Sequence, residues 1–253
     1  MILIKNEEQI KKIAESSRVV ALVHDELKKV IKPGVTLESL NVLAEKIIED
    51  NGGVPSFKGY QGYPESICTS VNEVLIHGIP SKQKLINGDL IKVDVGVYKD
   101  GYHGDAAFSM LVGNKVNEEA EQISHATQYA LQEVINVIKP GDTFGTIGSI
   151  IQSIAELYGY GIPSEFSGHG IGEQLHEEPH VSNKGLTGEG DIILPGMVFC
   201  IEPMFMKDTS RVIISKKDGW TVKSANNELT SHDEHTVVMT TEGLKPLTVL
   251  EGK

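Results

Sequence analysis

Residues 31–57 read IKPGVTLESLNVLAEKIIEDNGGVPSF, and residues 138–166 read IKPGDTFGTIGSIIQSIAELYGYGIPSEF. Each copy opens with Pro-Gly, which favours a turn, and continues with a threonine that can cap a helix, Thr36 or Thr143. Apolar residues at helical spacing follow, and glycines end each helix. An amphipathic stretch before each copy predicts one more helix. The sequence therefore encodes the same pair of helices twice.

The likeness between the two copies extends into the segments that follow their helices. NGDLIKVD and PGMVFCIE each run from a turn glycine through an apolar, β-favouring segment to a carboxylate, from Gly88 to Asp94 and from Gly196 to Glu202. The separation between glycine and acid is the same in both copies. The repeat therefore includes an acidic residue at an equivalent position of each half.

We predict that this duplication builds a single α+β domain over residues 1–253 from two similar halves, at about 1–113 and 114–253. Each half would supply two helices and a strand-rich segment, and a site made of equivalent positions would lie between the halves. The alternative is a pair of independent domains that share an Ile-Lys-Pro-Gly loop by chance.

Charge and cysteine content exclude several classes of protein. The 23 basic and 35 acidic residues give a net charge of 23 − 35 = −12, which disfavours nucleic acid or an anionic membrane as a partner. The two cysteines, Cys68 and Cys200, are far apart in sequence, so neither a disulfide framework nor a zinc ribbon is expected. No stretch is apolar enough for a signal peptide or a membrane span. These features predict a cytoplasmic protein.

Residues 90–113, LIKVDVGVYKDGYHGDAAFSMLVG, predict a β-hairpin. With Asp100–Gly101 as a two-residue turn, Asp94 lies opposite Ala107, and Asp105 shares its face of the sheet. A three-residue loop would instead place the two aspartates on opposite faces unless a bulge intervened. An aspartate within an apolar strand is costly to bury unpaired, so Asp94 is either functional or a hydrogen-bonded structural acid.

Three further residues stand in unusual surroundings. Glu202 ends an apolar run, Glu234 precedes a strand, and His169 lies between glycines in SGHGIGEQLHEEPH, where the glycines predict a turn. With Asp94 and Asp105 they form a set of four carboxylates and one imidazole. That set suits two divalent ions of the Mn, Fe, Co or Zn kind, whereas oxygen ligands alone would indicate Mg or Ca. Paired metals of this kind generate hydroxide and bind a tetrahedral intermediate.

The remaining histidines divide into two groups. His77 and His176 precede turn-forming or proline-containing stretches, and neutral imidazoles beside a metal pair can hydrogen-bond a substrate carbonyl or its oxyanion. We interpret the others as ordinary surface or core residues: His24, His103, His125, His180, His232 and His235.

Five motifs match a known family in order and spacing: GYPESICTSVNEVLIHGIP, DGYHGDAA, SGHGIGEQLHEEPHV, GMVFCIEPM and DEHTVVMT. On these residues the chain resembles the type I, bacterial methionine aminopeptidases, and the resemblance covers nearly the whole chain. It implies the pita-bread fold of creatinases and aminopeptidases, in which two helix pairs cover an antiparallel sheet. The activity it implies is removal of the N-terminal methionine from nascent proteins and peptides with a small second residue, by attack of a metal-activated hydroxide on the first peptide bond.

The resemblance also implies the metal ligands, which are Asp94, Asp105, His169, Glu202 and Glu234. Asp94 is expected to hold one ion through both oxygens, and Asp105 and Glu234 are expected to bridge two ions. His169 and Glu202 would complete the shell, and Glu202 would also accept a proton from the attacking water.

Substrate contacts follow from the same resemblance. His77 is expected near the scissile amide nitrogen and His176 near the carbonyl oxygen. The expected lining of the methionine pocket is Tyr60, Tyr63, Cys68 and Trp220, with Phe57 and Leu175 beside them. Gln61, Leu175 and Gly96 depart from the usual family pattern of histidine, phenylalanine and threonine. The expected partners are nascent polypeptide N-termini near the ribosome, and the expected state is a monomer.

Three other functions are alternatives on the same fold. Xaa-Pro aminopeptidases and prolidases resemble this fold and metal set, although they usually carry an additional N-terminal domain. A pita-bread protein that only binds its partner, or a creatinase-like hydrolase without metal, is expected to lose metal ligands. All five expected ligands are present in this sequence.

Overall fold

The structure, a computed structural model, describes residues 2–250. Its helices are α1 Glu7–Val30, α2 Leu37–Asp50, α3 Glu118–Val137 and α4 Phe144–Tyr158. They follow the predicted pattern of two helix pairs. Thr36 caps α2 by accepting a hydrogen bond from the Ser39 backbone. Thr143 precedes α4 but makes no capping bond, because its hydroxyl pairs with that of Thr146 at 3.1 Å.

Short strands make up most of the remaining regular structure. They are β1 Val54–Pro55, β2 Cys68–Val71, β3 Val74–Ile76, β4 Leu90–Lys99, β5 Tyr102–Leu111, β6 Tyr160–Gly161, β7 Gly168–Gly170, β8 Glu177–Val181, β9 Val198–Ile201, β10 Met204–Lys207, β11 Val212–Ile214, β12 Val222–Ser224, β13 Thr230–His232, β14 His235–Met239 and β15 Leu244–Pro246. A 3₁₀ turn lies at Tyr60–Gly62.

The strands pair antiparallel throughout residues 2–250 and fall into four hydrogen-bonded groups. In the first group β4 pairs with β1, β2 and β5, and in the largest the order is β15-β14-β9-β7-β8. One apolar core lies between α1, α2 and the first group, and a second lies between α3, α4 and the largest group. The α+β architecture with two helix pairs over antiparallel strands is thus confirmed, although the strands form several groups rather than one sheet.

The β4–β5 hairpin has the predicted register. Asp94 pairs with Ala107 and Gly96 with Asp105, and both residues of the Asp100–Gly101 turn have positive φ, 50° and 89°. Such φ values are those of a two-residue type I′ turn, which matches the twist of the flanking strands. The two aspartates therefore share one face of the sheet.

The second half does not repeat this long hairpin. The glycine that begins each acid-bearing segment is left-handed in both halves, Gly88 at φ 100° and Gly196 at φ 90°. However, Asp94 lies within the ten-residue β4, whereas Glu202 comes directly after the four-residue β9. A boundary between halves at residue 113 remains a prediction. None of the helices within residues 2–250 is long and apolar enough to cross a membrane.

Candidate metal centre

A cavity of about 420 Å³ is lined by residues from two parts of the chain, 57–105 and 166–234. All thirteen residues that the sequence assigns to the site line this cavity: Phe57, Tyr60, Tyr63, Cys68, His77, Asp94, Asp105, His169, Leu175, His176, Glu202, Trp220 and Glu234. They come from strands and loops spread over most of the chain. Folding therefore brings together residues that the sequence analysis had assigned to one site from separate motifs.

The four predicted carboxylates, Asp94, Asp105, Glu202 and Glu234, line the cavity together and are called the acid cluster below. Three of them converge most closely. One oxygen each of Asp94, Asp105 and Glu234 lie within 4.8 Å of one another. Asp94 Oδ1, Asp105 Oδ1 and Glu234 Oε1 are buried without a hydrogen-bond partner among the described residues. An unpaired buried carboxylate is strongly unfavourable, whereas coordination of a cation removes the penalty. These orphaned oxygens therefore fit bound divalent ions.

The electrostatics of the acid cluster support the same conclusion. Burial raises the pKa of Asp94 to about 6. Burial and repulsion from neighbouring carboxylates raise the pKa of Asp105 and of Glu234 well above their usual range. Burial and the nearby Asp94 do the same to the pKa of Glu202. Four carboxylates in one buried space thus resist ionisation unless positive charge joins them.

His169 has the geometry of a ligand, but its local structure differs from the prediction. It lies in β7 rather than in a turn, and neither flanking glycine has a positive φ. A Cβ on Gly168 would lie 2.3 Å from the Cys200 carbonyl oxygen, and a Cβ on Gly170 would lie 2.1 Å from that of Glu178. The glycines therefore allow neighbouring backbones to pack closely around the histidine.

The ring of His169 is held in an orientation suited to binding a cation. Its Nδ1 lies 2.9 Å from the carbonyl oxygen of Gly170, which accepts the ring proton and leaves the Nε2 lone pair free. Nε2 lies 3.6 Å from Glu202 Oε1. Burial lowers the pKa of His169 to about 3, so the ring is neutral at physiological pH. A neutral imidazole is the form that coordinates metals.

A second imidazole, that of His232, also approaches the acid cluster. The sequence analysis interpreted this histidine as an ordinary surface or core residue. His232 is 2% exposed, and its Nε2 lies 3.7 Å from Glu202 Oε2 and 4.0 Å from Glu234 Oε2. A signal was present in the sequence, because residues two apart in an extended segment point to the same face. His232 stands two residues before Glu234, which the sequence did assign to the site.

The two predicted substrate histidines face the cavity. The Nδ1 of His176 lies 2.8 Å from the Tyr60 hydroxyl, and its ring centroid is 4.2 Å from that of His169. His77 has a φ of 56°, in the left-handed region that is uncommon for residues other than glycine. Its ring packs edge-on against Trp220, with 6.0 Å between centroids.

An apolar pocket adjoins the acid cluster. Tyr63 and Trp220 pack edge-to-face with centroids 5.2 Å apart, and Cys68 pairs with Asp94 in the β2–β4 register. Burial raises the pKa of the Cys68 thiol well above its usual value, which suits a pocket wall and not a nucleophile.

Two departures from the family pattern have a clear structural setting. A Cβ on Gly96 would lie 2.6 Å from Cε1 of Phe57, so a larger residue at position 96 would clash with the Phe57 ring. Leu175 is 2% exposed and packs with the apolar cluster that contains Phe57 and Tyr60. Gln61 lies in the 3₁₀ turn at φ 47° and lines the cavity. Nothing in the structure explains the choice of glutamine at that position.

The fold and the acid cluster define a metallopeptidase of the pita-bread type. The model of metallopeptidase family M24 matches residues 11–241, and the chain belongs to that family. Within it the chain belongs with the methionine aminopeptidases. It is 42% identical to the methionine aminopeptidase of Mycoplasma capricolum subsp. capricolum over 99% of this chain and 100% of that protein. The crystal structure of methionine aminopeptidase from Rickettsia prowazekii superposes with a TM-score of 0.96 at 37% identity, over 98% of this chain and 100% of that one.

The rival class of proline-specific peptidases shares the fold at a greater distance. A prolidase from Pyrococcus furiosus superposes with a TM-score of 0.80 at 25% identity, and the match covers 98% of this chain but 66% of that one. The match thus covers part of that prolidase, whereas it covers the full length of the Mycoplasma and Rickettsia methionine aminopeptidases.

Proposed function

We propose that the chain removes the N-terminal methionine of polypeptides at this cavity, using divalent ions held by Asp94, Asp105, His169, Glu202 and Glu234. The observation that carries the proposal is the set of buried carboxylate oxygens that line this cavity and have no hydrogen-bond partner among the described residues. The mixed oxygen and nitrogen donors favour two ions of the Mn, Fe, Co or Zn kind.

Glu202 is the proton acceptor of the reaction. Bound divalent ions would lower the pKa of the attacking water and polarise the scissile carbonyl. The Glu202 carboxylate faces the cavity between His169 and His232, at 3.6 and 3.7 Å. From this position it accepts the proton of the attacking water and can return it to the leaving amine. Acid–base assistance of this kind contributes about 10²- to 10⁴-fold to a rate.

His176 and His77 bind the two ends of the scissile bond. We assign the Tyr60 hydroxyl as donor to His176 Nδ1, which leaves a proton on Nε2 that can be donated to the developing oxyanion. His77 would bind near the amide nitrogen. Burial lowers the pKa of His77 to about 4, so its ring is neutral and can accept or donate one hydrogen bond.

The pocket beside the acid cluster suits a methionine side chain. Tyr60, Tyr63, Phe57 and Trp220 supply aromatic walls, and thioether–aromatic contacts are favourable by about 0.3–1.5 kcal/mol. The carboxylates at the floor would attract the free α-amine, which restricts the reaction to N-termini. A small second residue is expected of the substrate. Nascent chains near the ribosome, in the cytoplasm, are the substrates we propose, with the enzyme acting as a monomer.

Peptide cleavage by reconstituted protein tests this function. Metal-stripped protein resupplied with Mn²⁺, Fe²⁺ or Co²⁺ should release free methionine from Met-Ala-Ser, and Glu202→Ala should slow the release by about 10²- to 10⁴-fold. Cleavage confined to Xaa-Pro peptides would assign the chain to the prolidase class instead. Tight metal binding without cleavage of either peptide would favour a protein that only binds its partner.

A further inference from the structure

We propose that His232 is a sixth metal ligand, which donates its Nε2 to the ion held by Glu202 and Glu234. This inference rests on the proposed function only in that it assumes divalent ions occupy the acid cluster. The five ligands that the family resemblance implies include a single imidazole, so His232 would make the donor set of this chain richer in nitrogen.

Distances between donor atoms support a shared ion. Carboxylate oxygens and imidazole nitrogens bind Zn²⁺ at about 2.0–2.2 Å, so two donors on one ion lie at most about 4.4 Å apart. His232 Nε2 lies 3.7 Å from Glu202 Oε2 and 4.0 Å from Glu234 Oε2, within that limit. All three residues present ligand atoms within 4.8 Å of one another. Both separations exceed a hydrogen-bond length, so the imidazole is not committed to either carboxylate.

The two carboxylate oxygens of Glu202 face different imidazoles. Oε1 is the atom nearest His169, at 3.6 Å, and Oε2 is the atom nearest His232, at 3.7 Å. Glu202 is therefore flanked by nitrogen donors at near-equal distances. Glu202, His169 and His232 would together offer a bound divalent ion both oxygen and nitrogen donors.

The hydrogen bonds of His232 described below involve its backbone and not its ring Nε2. Its Nε2 is buried and has no hydrogen-bond partner among residues 2–250. The backbone is fixed in β13, where the His232 amide donates to Ser109 Oγ and its carbonyl accepts from the same hydroxyl. An imidazole nitrogen buried without a partner is costly, and a metal ion supplies the missing partner.

An additional nitrogen donor has a consequence for metal choice. Imidazole favours Zn²⁺ and other later transition metals, whereas carboxylates alone suit Mn²⁺ and Mg²⁺. Removing the His232 ring should therefore weaken Zn²⁺ binding more than Mn²⁺ binding. Loss of a residue that only supports a ligand typically weakens metal affinity by about 10- to 100-fold. For a direct ligand we expect the Zn²⁺ loss to be at the upper end of that range or beyond it.

X-ray absorption of the Zn²⁺-loaded wild-type protein gives the first test. With both histidines as ligands, the scattering should contain two imidazoles for each fully loaded chain, and with His169 alone it should contain one. This measurement needs no variant and no turnover, so its result is independent of whether Met-Ala-Ser is cleaved. A single imidazole in the fully loaded wild-type protein would overturn the proposal.

Variants then assign the second imidazole to a residue. His232→Gln should remove one imidazole from the spectrum and weaken Zn²⁺ more than Mn²⁺ in calorimetric titrations. His169→Gln is the positive control and should remove one imidazole as well. His235→Gln is the matched negative control, because His235 is a neighbouring histidine that bonds Thr248 at 2.7 Å and faces away from the acid cluster. An unchanged imidazole count and Zn²⁺ affinity in folded His232→Gln would reject His232 as a ligand.

Discussion

Two cavities of similar size meet at consecutive residues of the chain. Glu234 lines the cavity with the acid cluster, whereas its neighbours Asp233 and His235 line a second cavity of about 440 Å³. This second cavity, hereafter the rear cavity, lies between α1, β5, α3 and residues 248–250. Like the first, it contains buried polar atoms, His24 Nε2 and Asp233 Oδ2, for which residues 2–250 offer no hydrogen-bond partner.

The difference between the two cavities lies in how their polar atoms are arranged. Donor atoms of the acid cluster converge within 4.8 Å, whereas within residues 2–250 no such group is drawn from the rear cavity. The rear cavity also mixes charges, since Lys28 lies 4.4 Å over the Phe108 ring and interacts with Asp233. The convergence of like charges therefore distinguishes the candidate metal centre from the rear cavity. The number of titratable residues does not separate the two cavities.

The largest effect that can test this contrast is loss of the proton acceptor. Glu202→Ala should lower kcat for Met-Ala-Ser by about 10²- to 10⁴-fold, because it removes the proposed general base, which is also a proposed metal ligand. His24→Gln, in the rear cavity, should leave kcat at the wild-type value. Methionine release at saturating metal measures both. Equal losses in the two variants would mean that the rear cavity takes part in turnover.

A second prediction concerns the substrate side of the acid cluster. His176→Ala should reduce kcat by about 10²- to 10³-fold, the usual effect of removing one oxyanion donor. Tyr60→Phe should cause a smaller loss, because it removes only the group that orients His176 through Nδ1. In the His176→Ala background, Tyr60→Phe should cause no further loss of kcat. Additive losses would show that Tyr60 acts independently of His176.

Metal binding should stabilise the folded protein through the acid cluster alone. At free Mn²⁺ of about 100 times Kd, linkage predicts an increase in the free energy of unfolding of about 2.7 kcal/mol. Asp105→Asn should reduce this gain, and in chelator it should itself be more stable than wild type, since repulsion from Glu234 and Asp94 is removed. Denaturant titrations with and without metal measure both quantities. An equal metal response in Asp105→Asn would place the ion elsewhere.

The smallest expected effect is a pH dependence from the rear cavity. Burial, with Lys28 and His235 nearby, lowers the pKa of His24 well below its ordinary value of 6.5. Because the unfolded chain then binds this proton first, His24 removes stability as pH falls below 6.5, by at most about 1.4 kcal/mol per pH unit. His24→Gln should flatten the dependence of unfolding free energy on pH over that range, measured in chelator. An unchanged slope would mean that folding does not lower the pKa of His24.

Sequence patterns predicted the elements that depend on neighbouring residues. The helix pairs, the Asp100–Gly101 turn and the shared face of Asp94 and Asp105 follow from local periodicity and from turn chemistry. The prediction of a turn around His169 was wrong, because its flanking glycines allow the backbones of Cys200 and Glu178 to approach closely. Local patterns carry no information about which backbone a distant segment will approach.

The sequence by itself determined the duplicated helix pairs, the hairpin register and the motifs of the M24 family. Tertiary structure alone decided which polar atoms converge. It placed His232 beside Glu202 and Glu234, and it placed Phe57 in the space left by Gly96. Alternation along a strand is fixed by bonds within a few residues, whereas convergence depends on packing of strands from both halves. A cluster of ligands is therefore a property of the folded chain, even when its individual members can be recognised in the sequence.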